Sequence, residues 1–337
     1  RITKKAKSYF RTTLHIRFPM LERMLNRIWA YYCLDCKKEV TPAVPDALPG
    51  SKFDLNTAIL ISVLFTAFNL SVDKIAELFS MIFSLNISPG SISNTLARLK
   101  DYLKDDYKLL EKEIGKASFV HRDDTGWLKN GKPNWLWVAS TANAVYYKIT
   151  RKRNAKAACS LKLNKDCVSI SDALAANNGM TKKQQKCWAH LSRLAKKPKH
   201  YFRTKKEQKD YESLVARLME LFHLAKKDKK LQGCSEQLRK KYNTELLELL
   251  GEQKRRGGER WFGKNALALK QYIMKQKNFW FTFLEYPYVN PTNNDAEQKL
   301  RHPVIKRKIS QQSRSTKHMH SYQMQASIYM TSKAKGL

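Results

Sequence analysis

Acidic residues are scarce in this chain: 29 Asp and Glu stand against 64 Lys and Arg in 337 residues, a net charge of +35. A monomeric enzyme for small metabolites has no use for such an excess, which self-repulsion makes costly. A polyanionic partner relieves it through phosphate contacts and counterion release, with nucleic acid ahead of an anionic membrane surface. Long apolar runs are missing as well. The longest, roughly residues 58–70, is shorter than the ~20 residues a bilayer requires and contains Ser62, Thr66 and Asn69. No secretory leader is recognisable, because the basic residues 1–11 are followed by no apolar stretch. No initiator Met opens the sequence, which therefore reads as a fragment or a processed product. Cysteine is sparse: Cys33, Cys36, Cys159, Cys167, Cys187 and Cys234 are too few for a disulfide scaffold of this length and fit a reducing cytoplasm. What is present, 42% hydrophobic and 11% aromatic residues, suffices for a sizeable core and excludes wholesale disorder.

Three zones differ in texture. Residues 1–50 are basic and irregular, contain Cys33-Leu-Asp-Cys36 and leave through Pro42, Pro45 and Pro49. Residues 51–116 read as helices capped by Asp54, by Ser71, and by Ser88 or Ser91, the third carrying Ile92, Leu96, Leu99 and Leu103 on one face. Short helices with breaks at Asn69-Leu-Ser71 and Ser88-Pro-Gly-Ser91 suit a helix-turn-helix-like DNA-binding unit and suit a plain helical bundle equally. From residue 117 the period changes. Strands are predicted at 118–129 and 133–140 around Asn130-Gly131, the strongest short hairpin signal. Further strands are expected at 145–151, at 167–171 after a helix over 155–163, and at 184–188. Residues 205–285 read as charged helix with an interruption at Gly257-Gly258, forming an insertion over about 200–285. A helix start containing Glu297 follows Pro291, and then a basic tail. The fold class is α/β (α+β), with the predicted strands confined to residues 117–337.

In so basic a chain the position of the remaining carboxylates is informative. Asp123 lies in the first strand of the meander and Asp172 ends the strand after the helix, so both can reach one sheet edge. Like charges that close raise one another's pKa unless a cation neutralises them, which implies a metal. Two hard cations roughly 3.5–4 Å apart stabilise the attacking and leaving oxygens of an in-line phosphodiester displacement. Glu297 is the third candidate ligand. The same residues also allow plainer roles, since a strand-ending Asp is commonly a turn residue and Asn294-Asp-Ala-Glu297 fits a capping box. The surroundings favour the metal: ten Lys and Arg and no acid lie between Asp172 and Glu207, and nine more follow Glu297, again without an acid.

These residues carry a resemblance. His121-Arg-Asp-Asp-Thr-Gly-Trp127, with Asn130-Gly-Lys132 and Trp135-Leu-Trp137-Val138, resembles the first catalytic block of the insertion sequence sixty-six family of bacterial transposases. Val168-Ser-Ile-Ser-Asp172 is similar to the second block, and Gln185-Lys-Cys187-Trp-Ala-His190-Leu191 to its Cys-x-x-His signature. Asn290-Pro-Thr-Asn-Asn-Asp-Ala-Glu297, with Ile305-Lys-Arg-Lys308 and Ser313-Arg-Ser315, resembles the third. The match runs in order from about residue 30 to the end, stopping short of the family's usual terminus.

The resemblance implies an RNase H-like core, a mixed five-stranded sheet with flanking helices, and carries Asp123, Asp172 and Glu297 over as a DDE triad for two Mg²⁺ or Mn²⁺. It implies cleavage at the element's ends and attack of the freed 3′-hydroxyl on target DNA. The partners implied are double-stranded DNA with terminal inverted repeats, a second copy of the chain, and accessory element-encoded proteins, in the prokaryotic cytoplasm at the nucleoid and not at a membrane. DNA contacts are expected from Lys186, His190, Arg193, Arg301, Lys306, Arg307, Lys308 and Arg314. The family has Asp-Glu where this chain has Asp123-Asp124, which leaves open which of the two binds metal. Cys33 and Cys36 resemble half of the family's zinc ribbon, and a structural zinc needs four ligands; His15 is a conceivable third. His190 can approach the metal or a scissile phosphate, or pack beside Trp188. Trp127, Trp135 and Trp137 are expected in the sheet core rather than as base-stacking platforms. The rival functions are a catalytically silent DNA-binding protein of the same fold and an RNase H-like structure-selective nuclease.

Overall fold

The computed structural model describes residues 27, 29–40, 47, 51, 53–174, 177–251 and 263–337. His15 and Gly257-Gly258, singled out above, lie outside the described residues. An antiparallel hairpin of β1 (Tyr31–Cys33) and β2 (Lys38–Val40) carries the Cys33–Cys36 pair in its turn. Three helices follow: α1 (Leu55–Thr66), α2 (Val72–Phe83) and α3 (Pro89–Tyr102). The side chains of Asp54, Ser71 and Ser88 accept from the backbone amides of Thr57, Lys74 and Ser91, so each expected cap is made, with Ser88 rather than Ser91 starting the third helix. Asn69 and Ser84, at φ 58° and 52°, adopt the left-handed conformation that separates the helices. Ile61, Ile75, Phe79, Ile92 and Leu96 form their common core. A fourth helix, α4 (Lys104–Lys116), lays Tyr107, Leu110 and Ile114 against the sheet residues Val120, Trp137 and Tyr146.

The sheet comprises β3 (Phe119–Lys129), β4 (Lys132–Ser140), β5 (Val145–Thr150), β6 (Val168–Ser171) and β7 (Lys183–Lys186), in the spatial order β5-β4-β3-β6-β7. The first three pair antiparallel, whereas β3–β6 and β6–β7 are parallel. This mixed five-stranded sheet with flanking helices is consistent with an RNase H-like core. Asn130 and Gly131 turn the β3–β4 hairpin with φ of 47° and 71°, the paired positive values that a two-residue turn of matching twist requires. Two boundaries differ from expectation. The helix after β5, α5 (Ala155–Cys159), is shorter than predicted and is followed by the left-handed Lys162 at φ 55°. The last strand sits earlier, at Lys183–Lys186, because Cys187 already caps α6 (Trp188–Ala195).

Helices α7 (Lys205–Gln232), α8 (Glu236–Gly251) and α9 (Lys264–Met274) pack with the short turns Lys277–Phe279 and Thr282–Leu284 against Val168, Ile170 and Trp188, through an aromatic cluster of Trp280, Phe281 and Phe283. Helix α10 (Asn294–Ser310) returns the chain to the sheet. The residues read as a basic tail are not one: α11 (Thr316–Ala334) is a helix with Met319, Tyr322, Ala326 and Met330 in the core, four apolar residues at helical spacing. It closes the free edge of β5. Thr331 Oγ1 accepts from Val145 N (2.9 Å), Ser327 Oγ from Tyr147 N (2.9 Å) and Gln323 Oε1 from Ile149 N (2.8 Å). Side chains spaced four apart on the helix thus meet amides spaced two apart on the strand. On its other side α11 reaches α3, where Ser321 Oγ and Gln325 Nε2 both donate to Leu96 O.

Candidate active site

Parallel pairing of β3 with β6 aligns His121 with Ile170. That is the last pair of the ladder, and Asp123 and Asp172 each follow it by two residues, at the same end of the two parallel strands. His121, Asp123 and Thr125 alternate with Arg122 and Asp124 along β3, so adjacent carboxylates face opposite sides of the sheet. Asp124 is neutralised on its side: its fully buried carboxylate accepts from Arg153 Nε at 2.8 Å and Nη2 at 3.3 Å, and that guanidinium lies over the Trp135 ring at 4.7 Å. Among the described residues no cation acts on Asp123 in this way. Burial pushes its carboxyl up to about 7, and the charges of Asp172, Asp124 and Glu297 push in the same direction, opposed by the Asp124 amide that donates to its Oδ1 at 2.8 Å. Three carboxylates therefore act on a half-buried fourth, which is the electrostatic condition that a bound cation relieves.

Asp172 is held from behind. Its Oδ1 accepts from Leu174 N (3.2 Å) and Asn177 Nδ2 (2.6 Å). The Oδ1 of Asn177 accepts in turn from Arg122 Nη1 (3.1 Å), whose Nε donates to Ser169 Oγ (2.5 Å). Arg122 is fully buried; burial lowers its pKa to about 10, which leaves it charged at neutral pH. A buried cation thus stands one amide away from the Asp172 carboxylate.

Glu297 arrives on the first turn of α10, and Asn293 fixes that turn. The buried Asn293 side chain donates to Arg122 O (2.6 Å) and lies 3.2 Å from His121 Nδ1, and its backbone amide donates to Cys187 Sγ (3.2 Å). Asp295 accepts from Ser140 Oγ at 2.6 Å. Glu297 does not reach back to cap the helix, as a capping box would have it. Its Oε1 lies 2.9 Å from Arg193 Nη2 and 3.4 Å from His190 Nδ1. Among the described residues, the group of three ligand-type side chains whose ligand atoms lie within 4.8 Å of one another is Cys187, His190 and Glu297; the three acids of the expected triad do not form such a group.

The basic residues expected on DNA divide into two sets. Arg193, Arg301, Lys308 and Arg314 are exposed. Arg307 is half-buried and donates to Thr125 Oγ1 (3.2 Å) and Gly126 O. Lys186 and Lys306, also expected on DNA, are fully buried. Lys186 Nζ lies against Asp172 O (3.4 Å) and Asn178 Oδ1 (3.2 Å), and burial lowers its pKa to about 7. Lys306 Nζ donates to Phe65 O (2.9 Å) and Leu70 O (2.8 Å) and sits over the Phe65 ring, tying α10 to the end of α1. Trp127 and Trp137 are buried in the core, with Trp127 stacked on Tyr322. In the N-terminal hairpin the amide and thiol of Cys36 hydrogen-bond Cys33 and lower its pKa. Asn293, Asn177, Arg122 and Arg153 were not singled out from the sequence, although Asn293 and Arg122 lie inside the catalytic blocks.

Among the described residues no helix is long and apolar enough to cross a membrane. The family model for the Transposase IS66 family matches residues 55–321. No curated protein matches the chain.

Proposed function

The chain belongs to the IS66 family of transposases and is a DDE-type DNA-cleaving and strand-transferring enzyme; from that premise we propose that Asp123, Asp172 and Glu297 are its catalytic acids. The observation that supports this assignment is that Asp123 and Asp172 each follow the paired His121 and Ile170 by two residues, at one end of two parallel strands. The all-oxygen donor set, together with a half-buried Asp123 that meets no counter-charge among the described residues, fits hard divalent cations. Two Mg²⁺ or Mn²⁺ held by these acids would supply charge stabilisation for the attacking and leaving oxygens. In this reading Asn177 and Arg122 orient Asp172, Asn293 sets the turn that carries Glu297, and Asp124 is a structural partner of Arg153. Exposed Arg193, Arg301, Lys308 and Arg314, with half-buried Arg307, line the approach of the DNA backbone, and His190 lies beside the scissile phosphate.

The finer organisation is also a proposal. Residues 51–116 serve as a DNA-binding unit of helix-turn-helix type, residues 117–337 as the catalytic unit, and the Cys33–Cys36 hairpin as half of a zinc ribbon. The substrate is double-stranded DNA bearing the element's terminal inverted repeats, held by at least two copies of the chain at the nucleoid, with accessory element-encoded proteins.

The test is cleavage of cognate element ends with Mg²⁺ or Mn²⁺. Asp123→Asn, Asp172→Asn and Glu297→Gln are expected to abolish it while retaining DNA binding, and Asp124→Asn to keep measurable cleavage. An inactive Asp124→Asn beside an active Asp123→Asn would move the first ligand by one residue, and four active variants would remove the triad.

A further inference from the structure

We propose that Cys187, His190 and Glu297 form a second cation site, selective for zinc-class metals, that shares its carboxylate with the magnesium centre. Cys187 and His190 stand at the junction of β7 and α6, three residues apart at the start of the helix and so on one face. Glu297 is brought to them by the first turn of α10, and the three ligand atoms lie within 4.8 Å of one another. The His190–Glu297 separation is the informative distance. At 3.4 Å it is long for a charge-assisted hydrogen bond, and the buried His190 Nδ1 has no hydrogen-bond partner among the described residues. Ligand atoms bound at about 2.0–2.2 Å in a tetrahedron stand roughly 3.4 Å apart, so the pair already has the spacing of two corners around a shared ion.

The chemistry of the set selects the metal. A thiol, an imidazole and a carboxylate suit zinc, cobalt or cadmium, whereas magnesium prefers oxygen alone. Cys187 is buried while His190 and Glu297 each keep 31% of their side chain exposed, which leaves an entry path and an open fourth position. Arg193 occupies Glu297 Oε1 at 2.9 Å, but its side chain is 57% exposed and a solvent-screened pair of this kind yields readily. Because Glu297 serves both sites, zinc is an inhibitor of magnesium-dependent cleavage; this last step rests on the assignment of Glu297 under Proposed function.

The experiment is a cobalt titration of the full chain carrying Cys33→Ser and Cys36→Ser, so that the hairpin thiols do not contribute. About one equivalent of Co²⁺ is expected to give a thiolate-to-cobalt charge-transfer band. Cys187→Ala should abolish the band, and the partly exposed His190→Gln should weaken cobalt binding roughly tenfold or more. Absence of the band, or its persistence unchanged in both variants, overturns the site. Asp123→Asn should keep the band, which separates this result from any failure of the magnesium triad. Zinc should inhibit cleavage by the Cys33→Ser/Cys36→Ser chain, and adding Cys187→Ala should remove that inhibition, each chain being compared with its own zinc-free rate; undiminished cleavage at saturating zinc overturns the sharing of Glu297.

Discussion

Replacing Thr331 by valine keeps a β-branched side chain of nearly the same shape and exchanges one hydroxyl for a methyl. In the folded chain that hydroxyl accepts from Val145 N at 2.9 Å and donates to Val145 O at 3.1 Å, at a residue with no exposed surface. The substitution therefore leaves a buried amide and a buried carbonyl at the sheet edge without partners. Each such group costs about 1–3 kcal/mol, so a loss of roughly 2–6 kcal/mol is expected, a large part of a typical folding stability. With an unfolding entropy of ~2 cal/mol/K per residue, a chain of 337 residues loses on the order of 3–8 °C in Tm. The assay is a reversible thermal melt, accompanied by hydrogen exchange at the Val145 amide, whose protection should fall. Thr331→Ser is the control, since it retains the hydroxyl, loses only a methyl and should recover most of the difference. A Thr331→Val chain that melts within ~1 °C of the parent with Val145 still protected would refute the role of α11 as cap of the β5 edge.

Further outcomes follow from the contacts of individual charged side chains. Lys306→Met strands the carbonyls of Phe65 and Leu70 and should cost about 1–3 kcal/mol in urea unfolding, yet leave the salt dependence of DNA affinity unchanged. Alanine at exposed Lys308 or Arg314 should instead spare stability and reduce the slope of log K against log salt by about 1 each, and the reverse pattern would contradict the burial of Lys306. Arg153→Ala removes the counter-charge of a fully buried Asp124 carboxylate and should cost about 1–3 kcal/mol, discounted for the partial exposure of the arginine. Adding Asp124→Asn should recover part of that loss, and strictly additive losses would mean that the pair does not interact.

Local signals were legible where the chemistry is local. Asp54, Ser71 and Ser88 announced helix starts because a capping side chain needs only its own next turn, and Asn130-Gly131 announced the hairpin because the turn itself demands positive φ. The strand runs and turn signals gave the sheet, and the resemblance to the family's catalytic blocks singled out Asp123, Asp172 and Glu297. What stayed hidden depends on partners far along the chain. Asn294-Asp-Ala-Glu297 satisfies a capping-box pattern equally well, and Glu297 turns elsewhere because Arg193, 104 residues away, is brought against it. Lys186 and Lys306 were read as surface charges since composition carries no burial; each is buried by contacts with backbone carbonyls contributed by other elements. The helix α11 was obscured by its polar residues, Ser321, Gln323, Gln325, Ser327 and Thr331, which look like a solvated segment and in fact are buried as hydrogen-bonding groups between a strand edge and α3.

The closure of β5 by α11 also sets a clock on synthesis. The capping side chains follow their amides by 174 to 186 residues. At about 5–20 residues per second, the edge of the sheet waits on the order of 10 to 40 s for its cover while the chain is still being made. Throughout that interval a nascent strand presents unpaired backbone amides that a second nascent chain can pair with. Crowded translation of one message, rather than any weakness of the finished fold, is thus the stage at which this protein is most exposed to misassembly. A product terminated before residue 316 would carry that open edge permanently.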